Sequence, residues 1–128
     1  MSAPEIGRFL RDNESCFLTQ DFPLYLQRLF ARKNITKATL AKRSGMSEAY
    51  LYQLFSGKRN PSRNRAICLC FGLSASLEEA QELLKVCGSS PLYVKNRRDA
   101  IIIHGLANGL SLTQVNDTLY CENESTLF

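Results

Sequence analysis

The chain has 128 residues, 45% of them hydrophobic, with seven glycines and four prolines, which is enough to build one compact core. Its five cysteines (Cys16, Cys68, Cys70, Cys87 and Cys121) are odd in number, irregularly spaced and contain no Cys-x-x-Cys, which argues against a disulfide framework or a zinc module. No apolar run approaches a membrane span, and Met1–Ile6 lacks a basic-then-apolar leader, so a cytoplasmic protein is expected.

Residues 1–20 read as an N-terminal arm. Pro4 suits an early helical position, where its missing N–H costs little, and a short helix through Leu10 is expected. Phe9, Leu10, Phe17 and Leu18 suggest an arm that packs on the body or on a second subunit. Asp21-Phe22-Pro23 opens the next helix, which Asn34 ends, with Leu24, Leu26, Leu29, Phe30 and the stem of Lys33 inward. Thr36 is a good N-cap for a helix carrying Leu40 and Ala41 on its inner side. Gly45 stands where that helix must stop and the backbone must take a positive φ. Ser47 caps the following helix, whose Leu51 and Leu54 fall at i, i+3 spacing, and Gly57 ends it. Ala41 is small enough for the two helices to approach closely. The stretch from Thr36 to Arg59 is therefore predicted to be a helix-turn-helix.

Ser62 caps a helix from about Arg63 to Phe71, with Ala66, Ile67, Leu69, Cys70 and Leu73 as core candidates and Gly72 as its stop. Ser76-Leu77-Glu78-Glu79 has capping-box spacing and opens a helix to about Cys87, ended by Gly88. Ser89-Ser90-Pro91 is a turn or short linker, and Leu92-Tyr93-Val94 is extended or a single turn. Asn96 caps a helix near Arg97–Ala107, and Asn108-Gly109 stops it. Ser111-Leu112-Thr113-Gln114 is a second capping box, opening a last helix to about Tyr120. The expected fold is all-α: five helices in residues 21–88 and a C-terminal helical hairpin extension in 89–128. Ile101, Ile102, Ile103 and Leu106 give that hairpin more apolar surface than one face can use. It is expected to pack on the domain and also to offer a homodimer or partner contact.

The net charge of +4 is unevenly spread. Between Phe22 and Arg65 lie ten basic residues (Arg28, Arg32, Lys33, Lys37, Lys42, Arg43, Lys58, Arg59, Arg63, Arg65) and one acidic residue, Glu48, a segment charge of +9 against −5 elsewhere. A solvated face is the ordinary reading of a charge run. A one-sided excess around a helix-turn-helix is instead the footprint expected of phosphate binding.

The same stretch resembles the helix-turn-helix of the phage repressor/Cro (XRE-like) family. The resemblance rests on Leu40-Ala41, Gly45, Leu51, Leu54, Gly57-Lys58 and Asn60-Pro61-Ser62, all in register, and covers roughly Phe22 to Leu77. Ser44 stands where the family has an apolar residue, and Phe55 where it has an acidic one. The resemblance implies that Ser47–Ser56 is a recognition helix lying in the major groove of double-stranded DNA. Base edges would then be met by Ser47, Glu48, Ala49, Tyr52 and Gln53, with Gln53 suited to adenine, Glu48 to cytosine N4 and Ala49 to a thymine methyl. Phosphates would be met by Lys37, Lys58, Arg59, Asn60 and Arg63, helped by the N-terminus of the helix after Ser62.

No nucleophile elbow, glycine-rich phosphate loop or metal-ligand cluster is present, so neither an enzyme nor a cofactor is expected. The sequence points to a DNA-binding transcriptional regulator, a repressor acting as a dimer on a palindromic operator, its recognition helices about 34 Å apart. The alternative is an adaptor or antitoxin of the same fold that grips a protein through the C-terminal hairpin. The carboxylate at Glu48, among prospective phosphates, and Phe55 in place of the family's acid keep that alternative in view. A zinc or thiol redox sensor using Cys68, Cys70 or Cys87 is a third class.

Overall fold

A computed structural model describes residues 21–128, so the N-terminal arm expected at 1–20 lies outside the described residues. Among the described residues there are seven helices and no strand: α1 Phe22–Lys33, α2 Lys37–Ser44, α3 Glu48–Ser56, α4 Arg63–Gly72, α5 Leu77–Val86, α6 Arg97–Ala107 and α7 Leu112–Cys121. The all-helical expectation is met, and the helix starts follow their caps. Asp21, Thr36, Ser47, Ser62, Ser76, Asn96 and Ser111 each accept a backbone N–H of the first turn. Both capping boxes close: Glu79 accepts from Ser76 N at 2.9 Å, and Gln114 accepts from Ser111 N at 2.9 Å.

The turn between α2 and α3 is as tight as its glycine allows. Gly45 sits at φ 66°, and Met46 N–H returns to Ala41 O at 3.0 Å. That geometry lays α3 across α2, with Leu40, Ala41, Leu51 and Leu54 buried between them and α4.

Gly72 corrects the sequence reading. It does not stop α4 but is its last helical residue, and the left-handed backbone falls two residues later, at Ser74 (φ 51°). The reason is a close approach. A Cβ at Gly72 would overlap Ser44 Oγ and Leu40 Cδ1 and come within 3.2 Å of the Leu40 carbonyl. Glycine here lets α4 press on the last turn of α2. Ser44, where the family has an apolar residue, is buried in that contact with its hydroxyl unpartnered.

The expected inward faces hold in outline: Phe22, Leu26 and Leu29 of α1 are buried, whereas Leu24 and Phe30 are half-buried. One core runs through the molecule. Ile102, Leu106, Leu112, Val115, Leu119 and Leu127 join the same cluster as Leu26, Leu51 and Leu69. The hairpin therefore completes the core of the helix-turn-helix domain. Its exposed large apolar side chains are Tyr93, Val94, Tyr120 and Phe128, and Ile101, Ile103 and Leu110 are half-buried.

Polar links fasten the extension. The Gln81 amide donates to Leu92 O (2.9 Å) and accepts from Leu92 N (2.8 Å). Arg98 donates to Ser125 O (2.7 Å) and to Asn64 Oδ1 (3.0 Å), so the C-terminal strap is held against both α6 and α4. Leu127, in the same terminal segment (residues 122–128), is buried.

Candidate nucleic-acid interface

The recognition helix separates its two faces by register. Leu51, Leu54 and Phe55 are buried, Tyr50 is half-buried, and Ser47, Glu48, Ala49 and Tyr52 are exposed. Gln53 is half-buried and shares the outer side. The five residues expected to meet base edges thus lie on the solvent side of α3. Ser47 Oγ is engaged as the N-cap, accepting Tyr50 N–H at 3.1 Å. Glu48 is the first helical residue, where the exposed N–H groups favour a negative charge. Among the described residues no ion pair forms at Glu48.

Phe55, where the family has an acid, is absorbed by an aromatic corner. Its ring meets Phe30 edge-on at 5.3 Å between centroids. Lys37 Nζ stands 4.7 Å from the Phe55 ring and 4.9 Å from the Tyr52 ring. Lys37 is therefore held at the N-terminal end of α2 by two aromatic faces of α3, beside a shallow depression also lined by Gln27 and Ser56. The Gln27 amide completes the corner by donating to Phe55 O at 3.2 Å.

The loop after α3 carries Lys58, Arg59 and Asn60, all exposed. Arg59 N–H turns back to Gln53 O at 3.3 Å, so the loop folds against the recognition helix. The Arg59 guanidinium lies 5.9 Å from the Tyr50 ring centroid, and that of Arg65, in the first turn of α4, lies 5.4 Å from the same ring. Neither Tyr50 nor Arg65 was among the residues the sequence assigned to DNA. The signal available was Ser62: capping α4 through Arg65 N, it fixes Arg65 on the exposed first turn.

Arg63, expected to contact phosphate, has its guanidinium paired within the domain. Its Nη2 donates to Asp99 Oδ2 at 3.0 Å and to Pro91 O at 3.0 Å, and its Nε donates to Ser90 O at 3.0 Å. Asp99 is buried and also accepts Tyr93 N–H at 3.0 Å. The guanidinium thus faces the carboxylate and two carbonyls of the extension. Sequence reading could not find this, because the partner lies 36 residues away.

Other basic residues of the segment are also spoken for. Lys33 Nζ meets Glu79 Oε1 at 2.7 Å, and Arg32 lies 3.7 Å from the other oxygen. Burial pushes the Glu79 carboxyl up. The Lys33 hydrogen bond, the Ser76 N–H and the neighbouring cations outweigh burial and hold it below the usual glutamate value.

Burial disfavours the thiolate at Cys68, Cys70 and Cys87. Burial pushes the Cys68 thiol up to about 11 and the Cys87 thiol up to about 12, and it drives the Cys70 thiol higher still. Protonated thiols at neutral pH are poor nucleophiles and poor metal ligands. Among the described residues no group of three or more His, Cys, Asp or Glu side chains is placed to hold a metal, and no helix is long and apolar enough to cross a membrane.

Fold and site together define a small helical domain that displays the polar face of one helix beside cations set against aromatic rings. Residues 25–67 match the family described as "Helix-turn-helix", a helix-turn-helix of the XRE type. The match spans α1 to the first part of α4 and includes every candidate base and phosphate contact. No curated protein and no solved structure matches the chain.

Proposed function

We propose that the chain is a sequence-specific regulator of transcription that reads double-stranded DNA through α3. The observation that carries this reading is the outer face of α3. Glu48, Ala49, Tyr52 and Gln53 lie on the side opposite the buried leucines, with Lys37 against the Tyr52 and Phe55 rings and Lys58 and Arg59 on the loop that follows the helix. Base contacts come from Ser47, Glu48, Ala49, Tyr52 and Gln53, and phosphate contacts from Lys37, Lys58, Arg59 and Asn60. Arg63, committed to Asp99, is left out of that set. The chain acts as a dimer on a palindromic site, with the exposed Tyr93, Val94, Tyr120 and Phe128 of the extension as the surface for a second copy. Occupation of a promoter by such a dimer represses it.

The test is fluorescence anisotropy with random duplex DNA at two salt concentrations, on the wild type and on Lys58→Ala/Arg59→Ala. Binding that falls steeply with salt in the wild type, with a slope about two units shallower in the double variant, supports phosphate contact. A folded wild type that leaves DNA free at low salt overturns the reading, and a partner protein should then be sought through the C-terminal hairpin.

A further inference from the structure

We infer that Tyr50 is a positioning residue that seats Arg59 and Arg65 as a paired phosphate clamp, with Arg65 as a DNA contact in its own right. The inference rests on the DNA-binding reading above and names residues which that reading does not use.

Tyr50 joins three consecutive pieces of the interface. Its backbone belongs to the first turn of α3, where its N–H donates to Ser47 Oγ. Its ring is half-buried, packed against the core, so its plane is fixed by the body of the domain. The Arg59 guanidinium comes from the loop after α3 and the Arg65 guanidinium from the first turn of α4, and both lie within 6 Å of the ring centroid. A guanidinium against an aromatic face keeps its N–H edges free for other acceptors. A flexible arginine at an exposed site must otherwise be ordered when it binds, and ordering a long side chain opposes association. A ring that holds both arginines before DNA arrives lowers that opposition.

The pair also has a cost that only an anion relieves. Two guanidiniums near one ring repel each other, and among the described residues neither forms an ion pair with a carboxylate. Arg63 is matched by Asp99 and Arg97 by Glu122, whereas Arg28 and Arg43, like this pair, form no ion pair among the described residues. Arg65 N–H is taken up by Ser62 Oγ, which puts its side chain on the exposed first turn of α4, where helical N–H groups also favour a phosphate. Guanidiniums with free edges and no carboxylate, beside the recognition helix, suit a phosphodiester oxygen and do not suit a neutral partner.

The experiment measures affinity for random duplex DNA from 50 to 200 mM salt for the wild type, Tyr50→Leu, Tyr50→Phe, Arg65→Ala and Tyr50→Leu/Arg65→Ala, with folding checked by circular dichroism. Arg65→Ala should lower the salt slope by about one unit, so the ratio of affinities across that salt range shrinks about fourfold. Tyr50→Leu should weaken binding several-fold, Tyr50→Phe should bind like the wild type, and Arg65→Ala should lose less in the Tyr50→Leu background than alone. An unchanged slope in Arg65→Ala, with the wild type still binding steeply with salt, overturns the inference and leaves the DNA-binding reading standing. Equal losses for Tyr50→Phe and Tyr50→Leu overturn the positioning role, since the hydroxyl and not the ring face would then matter. A folded wild type that does not bind DNA overturns both readings together. If Tyr50→Leu does not fold, Arg65→Ala, a change at an exposed residue, still decides the contact.

Discussion

Arg63→Ala separates structural from DNA-contacting arginine. Removing the guanidinium leaves Asp99 buried with a single strong donor, Tyr93 N–H at 3.0 Å, and also frees the carbonyls of Ser90 and Pro91. Breaking a buried pair by deleting one partner costs about 3–5 kcal/mol, because the surviving charge stays desolvated. The Arg63 side chain is 26% exposed and that of Asp99 7%, so the lower end applies. The expectation is about 3 kcal/mol, read as a lower urea midpoint at unchanged m-value and as a fall of about 10 °C in Tm. The salt slope of DNA binding should stay within half a unit of wild type, since the residue faces the extension and not the groove. Replacing both partners with apolar residues, Arg63→Met/Asp99→Leu, should recover most of the loss. The reasoning is refuted if Arg63→Ala unfolds at the wild-type urea midpoint and instead flattens the salt slope by about one unit.

Ser44→Ala should stabilise the protein by about 1 kcal/mol, because it removes a buried hydroxyl that has no partner, and Gly72→Ala should cost about 2–3 kcal/mol at the same contact. Urea titration of the two variants checks both signs, and a destabilised Ser44→Ala would mean that the hydroxyl is satisfied in solution. Cys68, Cys70 and Cys87 should resist an aromatic disulfide reagent at neutral pH in the folded protein and react once it is unfolded, while exposed Cys121 reacts from the start. Rapid reaction of Cys68 or Cys70 in the folded state would contradict their burial. The Glu79 carboxyl is held below its unfolded value, so its contribution to stability is present above the ordinary glutamate pKa and is lost as pH falls through the lower folded value. Glu79→Gln should therefore narrow the stability gap to the wild type on acidification below about pH 4, and a gap independent of pH from 3 to 7 would count against the ion pairs at Lys33 and Arg32.

Much of the fold was legible because its signals are local. Thr36, Ser47, Ser62, Ser76, Asn96 and Ser111 cap helices through their own first turns, and leucine spacing gives the buried side of α3 without reference to any partner. Gly72 was misread because a glycine near a helix end has two uses, a left-handed stop or a close contact. Only the position of Ser44 and Leu40 across the interface separates them. How the apolar side chains of the hairpin divide between core and surface was hidden for a similar reason. Ile102 and Leu106 find their cover on the rest of the domain, which periodicity along α6 cannot report. Within the site, the outer face of α3 follows from register alone. Which cations remain available beside it does not, since Asp99, Glu79 and Tyr50 are brought to Arg63, Lys33 and Arg65 only by tertiary packing.

That last point bears on how strongly the protein should hold DNA. A segment charge of +9 between Phe22 and Arg65 would give a salt slope near −8 if every net charge met a phosphate at about 0.9 unit each. Three of the ten cations, Arg32, Lys33 and Arg63, face carboxylates of α5 and α6 and contribute packing between helices instead. Lys37, Lys58, Arg59 and Arg65 flank the recognition helix, three of them against aromatic rings. Four contacts imply a slope of about −3.6 per bound chain, with Glu48 opposing rather than adding to it. Titration with random duplex DNA over a decade of salt reads this directly. A slope near −8 would mean that the carboxylate-paired cations are released on binding, and hence that the helices around Glu79 and Asp99 rearrange. A slope close to −3.6 fits a domain that meets DNA as a rigid body, with its cations already in place.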